Sequence, residues 1–228
     1  MNIKKHIPNT ITCCNLVSGC IATYFAFQGD FGMALLFIII GAVFDFFDGM
    51  SARLLNVSSP IGKELDSLAD DITFGFAPSA IIFSYLCTFH IHLVYVPFLA
   101  FVMAAFSALR LAKFNLDERQ ALGFIGLPTP ANALFWGSLI FGLQEHDIAF
   151  SGIEWIILAG TFISCYLLIA EIPMFALKFK HWGWKGNEIK YIFVLSCIPL
   201  LLLLGVSGFA AIIAWYVALS VVASKKND

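Results

Sequence analysis

The feature that most constrains this 228-residue chain is a repeated run of predominantly apolar residues, close to the roughly 20 that a helix needs to cross a bilayer. Eight such runs follow one another, at 11–28, 32–47, 68–88, 93–111, 127–143, 153–174, 191–206 and 208–223. Lipid offers no partner to exposed backbone groups, so spanning segments of this length are helices. The expected fold is therefore all-α: a polytopic integral membrane bundle of about eight transmembrane helices, forming one membrane domain over 1–228. No connection is long enough for a folded extramembrane domain, so any chemistry must be built from helix ends and short loops. The last two runs, separated only by Gly205-Val206-Ser207-Gly208, are also compatible with one long tilted helix.

Charge is scarce, at 12% Asp, Glu, Lys and Arg with a mean hydropathy of +0.89, whereas a soluble domain carries about 25%. The net charge of −2 gives no ground for a nucleic-acid partner. The placement of the thirteen basic residues is more telling. Lys4 and Lys5 precede the first run; Arg53 and Lys63 lie between the second and third; Arg110, Lys113 and Arg119 lie between the fourth and fifth. Lys178, Lys180, Lys185 and Lys190 lie between the sixth and seventh, and Lys225 and Lys226 close the chain. The alternate connections hold none. Basic residues mark the cytoplasmic side, so both termini are expected in the cytoplasm. The basic N-terminal stretch has the outline of a secretory signal. Its apolar run is broken by polar residues, lacks an A-x-A site and is followed by further runs, so it reads as a retained first span. Six cysteines without C-x-x-C spacing lie in apolar stretches and read as small hydrophobes.

On the cytoplasmic side, the end of the second run and the start of the third carry four carboxylates. Asp45 and Asp48 are three residues apart, and Asp66 and Asp70 four apart, so each pair shares a helix face. An ionised Asp at a helix centre is unfavourable by roughly 2.5–3.5 kcal/mol, less near the interface. Four together need a compensating partner, and the nearby Arg53 and Lys63 are too few. A solvated helix end and a dipole-favoured first turn would explain the positions without a function. Clustered oxygen ligands instead suit hard divalent cations, and two ions about 3.5–4 Å apart would clamp a phosphoryl group. No Cys or His stands at these positions, which argues against zinc. Gly49 leaves space beside the second carboxylate, Ala52 keeps the next turn small, and Arg53 offers a planar fork for a phosphate oxygen.

The full run is Asp45-x-x-Asp48-Gly49-x-x-Ala52-Arg53, eight residues, then Gly62-x-x-x-Asp66-x-x-x-Asp70. It matches the signature of the CDP-alcohol phosphatidyltransferase family at all eight fixed positions, and the chain resembles that family of integral membrane enzymes. Further stretches resemble the membrane-embedded phosphatidylserine synthases of bacteria and archaea: 64–70, Thr73 to Pro78, Leu109-Arg-Leu-Ala-Lys-Phe-Asn115 and Gly126-Leu-Pro-Thr-Pro130. The resemblance covers roughly 8–132, the expected catalytic core; helices over 153–223 resemble the family mainly in hydropathy. Asp71 departs from it, standing where an apolar residue is expected.

The resemblance implies a core of six helices plus a C-terminal pair, and transfer of the phosphatidyl group of CDP-diacylglycerol to the hydroxyl of L-serine, with release of CMP. It implies that Asp45, Asp48, Asp66 and Asp70 bind metal, two Mg²⁺ or Mn²⁺ ions, with Asp70 also the general base. Gly49, Ala52, Arg53 and Gly62 would shape the CDP site. It further implies a homodimer in the inner (cytoplasmic) membrane, with lipid around it and the active site facing the cytoplasm. Serine needs a cation for its carboxylate; Arg110 and Lys113 are the candidates, with Asn115 and Thr129 beside them and Asn132 a turn further on. Arg110 and Lys113 could equally be interfacial anchors that snorkel. Other acceptors, glycerol 3-phosphate or inositol phosphate, should need more cations than this rim holds. A divalent-cation transporter is the alternative from another class, and would be expected to place its carboxylates at the midplane in repeated, broken helices.

Outside the core, Pro8-Asn9-Thr10 resembles the family's entry to the first helix, although Asn9 and Thr10 also suit an N-cap. His90, His92 and His146 are expected on the outer side, and Trp155, Trp182, Trp184 and Trp215 in interfacial belts. The basic connection 178–190 suits anionic head groups or simple topology signalling.

Overall fold

A computed structural model describes residues 6–57, 59–89, 94–117, 124–175, 183–184 and 187–227. Lys4, Lys5, His90, His92, Arg119, Lys178, Lys180, Trp182 and Lys185 lie outside the described residues, as do the side chains of Lys225 and Lys226.

The chain is built from helices α1 (His6–Phe27), α2 (Phe31–Leu55), α3 (Pro60–Asp70), α4 (Ala77–Leu86), α5 (Val102–Leu116), α6 (Thr129–Glu145), α7 (Ile153–Ile169), α8 (Glu188–Leu204) and α9 (Gly208–Asn227). A π-helical segment, Asp71–Phe76, joins α3 to α4, and a 3₁₀ segment, Val96–Phe101, leads into α5. Among the described residues, four stretches are long and apolar enough to cross a membrane: His6–Phe27, Phe31–Leu55, Val96–Leu116 and Glu188–Ala223. One feature departs from an all-helical expectation: β1 (Phe124–Ile125) pairs antiparallel with β2 (Pro173–Met174).

Local chemistry sets the helix ends. Asp30 caps α2 by accepting from Met33 N at 3.0 Å. Asn56 ends that helix in the left-handed conformation (φ 51°), and Ser59 then caps α3 by accepting from Gly62 N, with Pro60 in its first turn. These are favoured residues at those positions. The resulting short turn brings α3 against α1. Helix α1 begins by His6, so Asn9 and Thr10 lie within it rather than capping it; the Thr10 hydroxyl donates to His6 O.

The face that α1 buries is polar and small: Pro8, Thr12, Asn15, Ser18, Gly19, Ala22 and Ala26. Such residues let helices approach closely where lipid gives no hydrophobic drive for association. Thr73 of the π segment is fully buried against this face and donates to Asn15 O at 3.0 Å. A Cβ added at Gly19 would collide with the Thr73 hydroxyl, and one at Gly41 would meet Thr73 Cγ2 at 2.5 Å. Only glycine at both positions lets α1, α2 and the π segment converge here.

Further along the bundle the core becomes apolar, with Phe31, Ile38, Phe74, Ile81, Met103, Trp136 and Ile140 at most 1% exposed. The Trp136 indole, buried among them, donates to Ser164 Oγ across to α7. Many large apolar side chains face outward, Leu202 and Leu203 among the most exposed, as a surface solvated by lipid requires. Trp155, Trp184 and Trp215 are also exposed.

Two contacts mark opposite ends of the bundle. Lys63 Nζ donates to Asn115 O, joining two connections that carry basic residues, and Gln144 Nε2 donates to Gly29 O, joining two that carry none. At the C terminus, the Phe193 and Tyr216 rings lie 5.8 Å apart. In one straight helix they would be separated by roughly 34 Å, so α8 and α9 form a hairpin rather than one long helix. Gly205, with φ 57°, supplies the break.

Candidate active site

The end of the bundle holding Lys63 collects the last three turns of α2, the first three of α1 and α3. One carboxylate oxygen from each of Asp45, Asp48 and Asp66 lies within 4.8 Å of the other two. Asp48 is 5% exposed, and its Oδ2 is buried without a hydrogen-bond partner. Among the described residues no Lys or Arg forms an ion pair with any of the four site carboxylates. Converging, partly desolvated carboxylates without a protein cation would be strongly repulsive unless a positive charge joined them. A hard oxygen donor set of this spacing fits a divalent ion.

Asp70 sits one turn beyond Asp66 and outside that group of three. Its Oδ1 accepts from Asn15 Nδ2 at 3.0 Å. Asn15 is fully buried, and its remaining oxygen has no partner. Asn15 was absent from the sequence-based candidates, although Pro8, Thr12, Asn15 and Gly19 recur at intervals of three and four. That spacing on an apolar helix was a legible sign of one functional face.

Beside the carboxylates opens a cavity of about 260 Å³ lined by Pro8, Asn9, Thr12, Asp48, Gly49, Ala52, Val57, Ser59, Gly62, Lys63 and Asp66. Three of the expected nucleotide-site residues, Gly49, Ala52 and Gly62, are in this wall. A Cβ at Gly49 would project into open space, while one at Gly62 would come within 3.0 Å of Asn9 Oδ1 and Ser59 Oγ. Arg53, the fourth, is exposed on the last turn of α2 and does not line the cavity.

A second cavity, of about 370 Å³, lies at the same end between α5 and the end of α7, lined by Arg110, Lys113, Leu116, Asp117, Ile125, Leu168, Ile169, Ala170 and Glu171. Arg110 is 7% exposed, donates to Thr129 Oγ1 at 3.4 Å and stacks its guanidinium 5.0 Å over Phe114. Arg110 is thus buried within the bundle, whereas Lys113, on the next turn, is exposed. Asn115 ties α5 to α3, with its amide donating to Ser67 Oγ at 2.7 Å and its carbonyl accepting from Lys63. Thr129 and Asn132 are fully buried on one face of α6.

The profile of the family described as CDP-alcohol phosphatidyltransferase matches residues 5–167. The chain is similar to the CDP-diacylglycerol–serine O-phosphatidyltransferase of Bacillus subtilis (strain 168), at 35% identity over 188 residues, covering 81% of this chain and 95% of that protein. It is similar to the Helicobacter pylori (strain ATCC 700392 / 26695) protein of the same name, at 30% over 189 residues, 82% of this chain and 79% of the relative. The Saccharomyces cerevisiae (strain ATCC 204508 / S288c) protein of that name is 42% identical over 138 residues, 50% of this chain and 48% of the relative. With the profile matched over more than half its length, on helices that gather the motif carboxylates at one end of the bundle, the chain belongs to the CDP-alcohol phosphatidyltransferase family.

Proposed function

We propose that this chain transfers the phosphatidyl group of CDP-diacylglycerol to the hydroxyl of L-serine, giving phosphatidylserine and CMP. The observation that carries this reading is the convergence of Asp45, Asp48 and Asp66 beside a cavity walled by Gly49, Ala52 and Gly62, with relatives named for this reaction. The serine Oγ bonds to the phosphorus that carries diacylglycerol, and the bond from that phosphorus to the CMP oxygen breaks. Asp70 takes the serine proton, held in place by Asn15. CMP leaves as an anion. Divalent ions held by Asp45, Asp48 and Asp66, with Asp70 as a further ligand, would neutralise charge on the phosphate oxygens. Gly49 and Gly62 let the nucleotide lie against the backbone. Arg110, buried and beside Thr129, receives the serine carboxylate, and Lys113 draws the acceptor to the rim. Arg53 reaches phosphate only if its side chain swings inward from the exposed last turn of α2.

In this reading the eight apolar runs each span the inner membrane, both termini and the site face the cytoplasm, and 1–228 is one domain that works as a homodimer in lipid. Support for the orientation comes from the grouping of basic connections at the site end of the bundle. The test is metal-dependent CMP release from CDP-diacylglycerol by the purified protein. Release on addition of serine, but not glycerol 3-phosphate or inositol phosphate, is the expected result. Metal-dependent ion flux without CMP release would instead indicate a transporter.

A further inference from the structure

Behind Asp70, three elements bring together polar atoms that the site described above does not use. Asp71, the first residue of the π segment, turns its Oδ1 inward, where it is buried without a hydrogen-bond partner. Ser107 of α5 is fully buried, and its Oγ is likewise unpartnered. Both face Gly75: a Cβ built there would lie 2.6 Å from Asp71 Oδ1 and 3.4 Å from Ser107 Oγ. Arg110 Nε of α5 and Asn132 Oδ1 of α6 are also buried and unpartnered, and the Asn132 amide donates to Met103 Sδ, one turn before Ser107 on α5. A helical serine ordinarily returns its hydroxyl to a backbone carbonyl one turn back, as Ser18 and Ser79 do in this chain. Ser107 does not.

The chemistry missing at this spot can be specified. A carboxylate oxygen and an amide oxygen only accept, so what they lack is a donor, and Arg110 Nε lacks an acceptor. Buried groups of this kind are costly to leave unpaired. A ligand with several N–H donors next to a carboxylate satisfies both sets, and an α-amino acid zwitterion is such a ligand.

We propose that Asp71 and Ser107 form the subsite for the ammonium group of the amino-acid acceptor, with Asn132 as its neighbour, while Arg110 takes the carboxylate. The inference rests on serine being the acceptor. It makes Asp71 a specificity-determining residue. Gly75 is required because any side chain there would collide with Asp71 Oδ1 and Ser107 Cβ and push the two groups out of place.

The test uses the purified full-length protein with CDP-diacylglycerol and Mn²⁺, measuring the KM for L-serine and the inhibition constant of 3-hydroxypropanoate, which is serine without its amino group. In the unaltered protein serine binds the tighter of the two. Asp71→Asn is expected to raise the serine KM at least about tenfold, the loss of one charge-assisted hydrogen bond, with the 3-hydroxypropanoate constant unchanged. Ser107→Ala should shift the same ratio in the same direction. Equal weakening of both compounds, or an unchanged serine KM, would overturn the subsite. Should Asp71→Asn not accumulate as folded protein, the ratio measured in Ser107→Ala decides. Absence of serine-dependent CMP release by the unaltered protein would instead overturn the proposed reaction, so the two failures are distinguishable.

Discussion

Asn15 and Asp70 lie 55 positions apart in the chain, and the Asn15 amide donates to the Asp70 carboxylate at 3.0 Å. The contact links the first helix to the last carboxylate of the motif and aims one Asp70 oxygen away from solvent. Replacing Asn15 with Ala or Leu frees that oxygen to rotate and removes a buried donor. The expected result is a 10- to 100-fold fall in kcat, in line with about 1.5–3 kcal/mol for a hydrogen bond to a charged group. The KM for CDP-diacylglycerol should stay within twofold, because Asn15 does not line the nucleotide cavity. Steady-state CMP release separates the two parameters.

The carboxylate triad should act as a unit. Single Asp→Asn changes at Asp45, Asp48 or Asp66 are each expected to abolish Mn²⁺ binding measured by calorimetry or by the Mn²⁺ paramagnetic signal. Each should lower CMP release at least about a thousandfold, since a group that acts with its partners loses nearly all function when any one is removed. Chelation with EDTA should do the same reversibly. Retention of Mn²⁺ affinity in all three variants would refute the assignment.

Glycines in the cavity wall should control nucleotide access. A side chain at Gly62 would press on Asn9 and Ser59, so Gly62→Val is expected to raise the KM for CDP-diacylglycerol at least about tenfold, a cost typical of overpacking. Gly49→Leu should do so by filling the cavity itself, with little change in thermal stability, because nothing lies within 4 Å of its Cβ position.

The junction at Thr73 should govern stability. Thr73→Val keeps the shape and removes the hydroxyl bond to Asn15 O, a carbonyl that retains its helical partner, a loss of about 0.5–1.5 kcal/mol. Gly41→Val forces a branched side chain against Thr73 and Asn15 and should be at least as damaging. Thermal unfolding in detergent is the check for both; a melting temperature within 1 °C of the parent's for Gly41→Val would contradict the packing described.

The C-terminal hairpin should tolerate change. Tyr216 of α9 donates to Phe175 O, just past β2, at 3.0 Å, far from the carboxylates in sequence. Tyr216→Phe should cost about 1 kcal/mol and leave the kcat for serine within twofold.

Much of the helical pattern was legible because lipid permits few alternatives. Apolar run length and basic connections located the helices, whereas the ends set by Asp30, Asn56, Ser59 and Pro60 came from the structure. The pairing of Asp45 with Asp48, and of Asp66 with Asp70, followed from helical spacing alone. Less legible was the difference in role between neighbouring residues. Arg53 and Asn115 sit at motif-like positions, yet the first is exposed outside the cavity and the second ties α5 to α3. Asn15, which touches Asp70, lies in a span whose polar residues read in the sequence only as interruptions of an apolar run. The choice between one long C-terminal helix and two was decided by the contact of Phe193 with Tyr216.

The sequence by itself determined that the chain is a helical membrane protein and that its carboxylates form two helix-face pairs, because both follow from local spacing and from the cost of polar groups in lipid. Which side chains those pairs meet was decided only by the tertiary structure. Asn15 against Asp70, Thr73 between Gly19 and Gly41, and Asp71 with Ser107 around Gly75 are contacts between separate helices. They depend on how closely backbones approach, and no periodicity within a single helix encodes that distance.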